Sequence, residues 1–180
     1  MHKIISYFKN ASPVIQEDDW QVIRGDNATL ASSLPKGRVI VPFTWWLVEY
    51  MNPQWTERIN AGEIGVWFGV EDDVQLQADL IRESFANLPL IAVDFPIYRD
   101  GRGFSTAAIL RKRLAWDKEI RAIGDVLVDQ LTQMARVGFD SFDLRPDQSL
   151  EVALAQFSIY HVSMQNDWRH HRSQLKVVAA

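Results

Sequence analysis

The stretch Asp94-Phe95-Pro96-Ile97-Tyr98-Arg99-Asp100-Gly101-Arg102-Gly103-Phe104-Ser105 concentrates groups that can hold an anion. Arg99 and Arg102 carry fixed positive charge on planar forks that match oxyanions. Gly101 and Gly103 let a ligand approach the backbone. Ser105 adds a hydroxyl where a helix is expected to begin, and a helix start offers free N–H groups. Together with Asp100 these residues make a site for sulfate, sulfite, phosphate or a carboxylate. The simpler reading is a stiff turn at Asp100-Gly101, with the arginines paired to Asp94 or Asp125.

A second segment, Glu119-Ile120-Arg121-Ala122-Ile123-Gly124-Asp125-Val126, puts Arg121 inside an apolar run. A buried charge needs a partner, so Arg121 either meets the anion or pairs with Asp94 or Glu119. Asp94 and Asp125 stand where they could orient the arginines or act as acid and base; the plain reading of Asp125 is a helix cap. Asp94, Asp100 and Asp125 together could hold a magnesium ion, but caps and salt bridges explain all three, and no metal is assigned. Gly101-x-Gly103-x-x-Thr106 lacks the third small residue and the tight turn of a dinucleotide fingerprint. A nicotinamide or flavin site is therefore not expected, and the cofactor is unknown.

Composition narrows the chemistry further. The 180-residue chain has no cysteine, which removes disulfides, thiolate metal sites and a cysteine nucleophile. Its histidines are His2, His161, His170 and His171; none lies mid-chain, so a Ser–His–Asp centre has little to draw on. His170-His171, beside Trp168 and Arg169, is read as tail rather than metal site. A net charge of -4 argues against nucleic acid as the main partner. The absence of a long apolar run or secretory leader predicts a soluble cytoplasmic protein with no membrane span.

These side chains must be positioned by repeating strand–helix units. Val39-Ile40-Val41, Ile64 to Phe68, Leu90 to Asp94, Ile120 to Ile123 and Ser141 to Leu144 read as strands. Most are continuous apolar runs, as in strands covered on both faces. Helices are expected at Phe43–Met51 with Thr44 as cap, and around Val74–Phe85, Ala107–Leu114, Leu127–Val137 and Leu150–Phe157. Asp125 is the expected cap, and Gly138 the expected stop, of the fourth. The fold class is α/β, a parallel sheet of about five units, open and doubly wound, with a partial (β/α) barrel as the alternative. Residues 1–38 are read as an irregular extension packed on the core, apart from a short strand at Trp20–Ile23. Residues 39–160 form the domain and 161–180 a tail. The tryptophans Trp45, Trp46, Trp55 and Trp67 are expected in the core, any exposed remainder being a partner surface.

Several runs resemble the DUF934 family of bacterial proteins of unknown function. They are Ile91-Ala92-Val93-Asp94-Phe95-Pro96-x-x-x-Asp100-Gly101-Arg102-Gly103-Phe104-Ser105, Leu110-Arg111, Glu119 to Val126, Asp129-Gln130 and Gly138-Phe139-Asp140-Ser141-Phe142. The resemblance is dense from Val39 to Tyr160. It implies a place beside sulfite reductase in assimilatory sulfate reduction, where such proteins are often labelled oxidoreductases on the strength of gene neighbourhood. The family commonly has a cysteine before the Gly-Phe-Asp; here that residue is Val137, so a redox role for that thiol is not general.

Three functions follow as expectations. The first is an accessory protein of sulfite assimilation that binds a small oxyanion through Arg99, Asp100, Gly101, Arg102, Gly103, Ser105 and Arg121. The second is a non-enzymatic partner that docks on sulfite reductase or its electron donor. The third is a magnesium-dependent isomerase or lyase of barrel-like architecture. Whether the chain is an enzyme is open.

Overall fold

A computed structural model describes residues 2–25, 33–159 and 166–169. The strands are β1 His2–Ser6, β2 Val14–Asp18, β3 Gln21–Val22, β4 Val39–Pro42, β5 Ile64–Phe68, β6 Leu90–Phe95, β7 Glu119–Gly124 and β8 Ser141–Phe142. The helices are α1 Phe43–Glu49, α2 Thr56–Asn60, α3 Ala78–Ser84, α4 Arg102–Lys112, α5 Leu131–Val137 and α6 Leu150–Gln156.

The fold is α/β, and the strand–helix alternation expected from Val39 onward is present. All eight strands form one mixed sheet in the order β2-β1-β8-β7-β6-β5-β4-β3. From β3 to β8 every pair is parallel and the order follows the chain. A doubly wound sheet needs a reversal of strand order, and this run has none. β1 then pairs antiparallel with both β8 and β2, so the sheet is not purely parallel. Residues 1–38, read as largely irregular, supply β1, β2 and β3; the last agrees with the strand expected near Trp20–Ile23.

β2 and β3 are the two edges of this sheet, yet only Asp19 and Trp20 separate them. Asp18 and Gln21 are therefore at most about 11 Å apart, three Cα steps of ~3.8 Å. Laid flat, eight strands at ~4.8 Å spacing would set the edges about 34 Å apart. The sheet must curl until its edges approach each other.

Curling gives the sheet an outer and an inner face. Right-handed crossovers with strands in chain order place the connecting helices together on one face. The large apolar cluster, with Phe43, Trp45, Trp46, Phe68, Phe85, Phe95, Phe139 and Phe142, joins helices to sheet. A small second cluster of Ile40, Leu90, Ala92 and Ile123, with Trp20, Val22 and Trp67 against it, lies on the other face. Register puts Ala92 opposite Arg121 and Asp94 opposite Ile123. Residues in register share a face, so Asp94 and Arg121 point inward.

Helix boundaries differ from expectation in two informative places. Pro42, not Thr44, stands at the N-cap of α1, with no side-chain cap bond. The segment after β7 opens with a 3-10 turn at Val128–Gln130 before α5 begins. Asp125 is therefore not a helix cap. Gly138 does stop α5, with a φ of 128° that favours glycine.

Candidate functional site

Arg121 and Asp94, on the inner face of the central strands β7 and β6, each find a partner from the N-terminal segment. Arg121 is 2% exposed. Its Nη1 donates to both oxygens of Asp18 at 2.9 and 3.0 Å, and its Nε donates to Glu119 at 3.0 Å and Ser141 at 3.2 Å. Asp94 accepts a two-pronged bond from Arg24, at 2.6 and 3.1 Å, and the Arg24 guanidinium lies over the Trp67 ring. Nearby, His2 Nε2 lies 2.8 Å from Asp143 Oδ1. Burial pushes the Asp18 carboxyl above the usual aspartate range, against the pull of Arg121. The hydrogen bonds to Asp94 raise Arg24 further above its already high value.

The β6–α4 loop is organised by its own carboxylates. Asp125 Oδ2 accepts the Tyr98 N–H at 2.8 Å, and its other oxygen pairs with Arg145 at 2.8 Å. Asp100 accepts the backbone N–H of Arg102 at 3.1 Å and the Arg102 guanidinium at 2.8 Å. Arg102 reaches Glu71 as well, at 2.9 Å. Its hydrogen bond to Asp100 holds that carboxyl below the usual range. The start of α4 thus already has an anion, supplied by the chain.

Gly101 and Gly103 differ in role. A Cβ at Gly101 would meet nothing, and its φ of -77° suits any residue. A Cβ at Gly103 would sit 2.6 Å from the Phe95 ring and 3.1 Å from Val93. That glycine brings α4 close to β6. Arg99 and Ser105 are exposed.

The expected convergence of Arg99, Arg102 and Arg121 does not emerge from these contacts: the three share no partner, and Arg102 and Arg121 are each matched by two carboxylates. The three aspartates once grouped for magnesium go to three different arginines: Asp94 to Arg24, Asp100 to Arg102 and Asp125 to Arg145. Among the described residues no set of three acidic or histidine side chains could hold a metal. Arg121 does pair with Glu119, as the simple reading had it.

Sequence reasoning missed Asp18, Arg24 and His2, all in the segment read as irregular. Arg121 inside an apolar strand signalled that a carboxylate was needed, without saying which. His161, His170 and His171 lie outside the described residues.

Surface chemistry offers a different feature. Trp45, Trp46 and Trp55 are buried and Trp67 is partly so, as expected of core residues. On α1 and the turn after it, Leu47, Val48 and Met51 are 39%, 69% and 76% exposed. Their i, i+1, i+4 spacing places them together on the outer side of one helix. The inner side carries Phe43, Trp45 and Trp46 into the core. No helix among the described residues is long and apolar enough to cross a membrane.

A family model described as a bacterial protein of unknown function, DUF934, matches residues 65–175, more than half of the chain. No curated protein and no solved structure matches it.

Proposed function

We propose that this chain, which belongs to the DUF934 family, is a non-enzymatic docking partner in assimilatory sulfite reduction. It binds sulfite reductase or that enzyme's electron donor through α1. The observation that carries this reading is the exposed apolar trio Leu47, Val48 and Met51 on a helix whose opposite side is anchored by three large aromatic residues. Adjacent exposed apolar side chains favour burial against another protein. A rigidly seated helix loses little further freedom on binding. The sulfite setting comes from the family resemblance.

The oxyanion reading has less support. An anion entering at the start of α4 must displace Asp100 from Arg102, and one entering at Arg121 must displace Asp18 and Glu119 from a buried guanidinium. The isomerase or lyase reading needs clustered carboxylates, and Asp94, Asp100 and Asp125 are each engaged with a separate arginine.

A pull-down of the cognate sulfite reductase separates these readings. Complex that is retained by Arg102→Ala but lost by Val48→Asp supports docking through α1. Complex that survives Val48→Asp and Met51→Asp removes that surface. Saturable sulfite binding by calorimetry that disappears in Arg102→Ala would restore the loop as an anion site.

A further inference from the structure

Two buried donors on consecutive residues have no hydrogen-bond partner: Trp168 Nε1 and Arg169 Nη1. Both belong to the described segment 166–169, far from the docking helix in sequence. The Arg169 side chain is 3% exposed. Its Nε donates to the Ala135 carbonyl at 3.1 Å, its Nη2 donates to the Phe139 carbonyl, and its guanidinium lies 4.1 Å over the Tyr7 ring. The segment is further seated by the Trp168 N–H on the Arg136 carbonyl at 2.9 Å.

The surroundings are rich in cations. Trp168 has the Arg111 guanidinium 4.5 Å from its ring and Lys9 Nζ at 4.7 Å. Arg111 is buried, and its donors go to the carbonyls of Trp116, Lys118 and Gly138 and to Asp140. Asp140 also accepts the Ile120 N–H, and its other oxygen stands 3.5 Å from Arg169. Two buried carboxylates, Asp140 and Asp167, therefore face the buried guanidinium groups of Arg111 and Arg169 and the half-exposed Arg136. Burial lowers both buried arginines from their usual value, against the pull of Asp140.

A buried N–H without an acceptor is costly, and two of them beside buried guanidinium groups favour an acceptor that is itself negative. We propose that this corner, between the end of α5, the entry to β8 and residues 166–169, binds a small inorganic anion through Arg169 Nη1 and Trp168 Nε1. The anion would accept from the two donors that the nearby carboxylates Asp140 and Asp167 leave without a partner.

Chloride is the probe. Thermal unfolding is followed in sodium chloride against sodium gluconate at equal ionic strength, because a ligand that binds only the folded state raises the midpoint saturably. Chloride should raise the midpoint and gluconate should not. Trp168→Phe keeps a ring over Arg111 and deletes the N–H; it should abolish the chloride dependence while the protein still folds. Crystals soaked in bromide should show anomalous density within hydrogen-bond distance of both nitrogens. Equal midpoints in the two salts overturn the proposal. So does an ordered water alone at that position, or a bromide peak without any chloride dependence, which would mark an adventitious ion only.

Discussion

Arg121 Nη1 lies 2.9 and 3.0 Å from the two carboxylate oxygens of Asp18, a residue 103 positions earlier in the chain. The pair ties β7 to β2, one edge of the sheet, and Asp18 is also the last residue before the short link to β3 at the other edge. Arg24, just past β3, ties back to Asp94 on β6. The buried Arg121–Asp18 pair and the half-exposed Arg24–Asp94 pair thus cross the inner face where the curled sheet brings its edges together. A buried ion pair gains little over apolar packing but loses much when one partner is removed. Its clearest effect here is to specify how the N-terminal strands seat.

Removing the cation should be the more damaging change. Arg121→Met leaves Asp18 and Glu119 without their buried partner and is expected to cost about 3–5 kcal/mol in urea unfolding. Asp18→Asn should cost less, because Arg121 keeps Glu119 and Ser141. An Arg121→Met protein as stable as the parent would show that the pair does not hold the sheet edge.

The two aspartates that meet arginines in different surroundings should titrate on opposite sides of the ordinary value of 3.8. Asp18, raised by burial, adds stability that is fully present below pH 3.8 and is lost as pH rises through its folded value. Asp100, lowered by its hydrogen bond from Arg102, adds stability present above pH 3.8 and lost as pH falls through its folded value. Carboxyl-carbon NMR titration reads both, and Arg102→Gln should return Asp100 toward 3.8 while leaving Asp18 unchanged.

The two loop glycines should respond in opposite senses to alanine. Gly103→Ala forces a methyl into the Phe95 ring and is expected to destabilise by about 1–3 kcal/mol. Gly101→Ala meets open space at an ordinary φ and should stabilise by about 0.4–1 kcal/mol. Thermal melts of the two variants check this. Equal effects would mean that α4 does not pack on β6 as described.

Asp125 should act on the loop after β6 rather than on α5. Asp125→Ala removes the acceptor of the Tyr98 N–H, a bond worth roughly 1 kcal/mol or about fivefold in opening. Hydrogen exchange at Tyr98 should speed up by that factor while amides of α5 stay protected. Faster exchange confined to α5 would restore Asp125 as a helix cap.

The strands from β4 to β7 were legible because each is buried on both faces and so carries a mostly apolar run, as in Val39-Ile40-Val41 and Leu90-Ile91-Ala92-Val93, with Arg121 interrupting the one in β7. β2 was not: Val14-Ile15-Gln16-Glu17-Asp18 is mostly exposed, and only its pairing with β1 makes it a strand. β3 has only two residues, yet the apolar Trp20, Val22 and Ile23 were enough to mark a short strand there. Strand order depends on contacts distant in sequence, so the curl and the arrival of Asp18 at Arg121 could not be read locally. A loop between strand and helix was expected from Asp94 to Ser105 and is present, but β6 runs on through Phe95 and α4 begins at Arg102, three residues before the expected start at Ser105. Its charges were misassigned because Glu71, Arg24 and Arg145, which complete them, come from other elements.

The affinity of the purified protein for its cognate sulfite reductase, measured by biolayer interferometry, tests the docking account most directly. Val48→Asp and Met51→Asp should each weaken binding by about 2 kcal/mol or more, near thirtyfold, as at a buried interface centre. Arg102→Ala should leave the affinity unchanged. Parent-like affinity in both α1 variants, or binding lost only in Arg102→Ala, would contradict it.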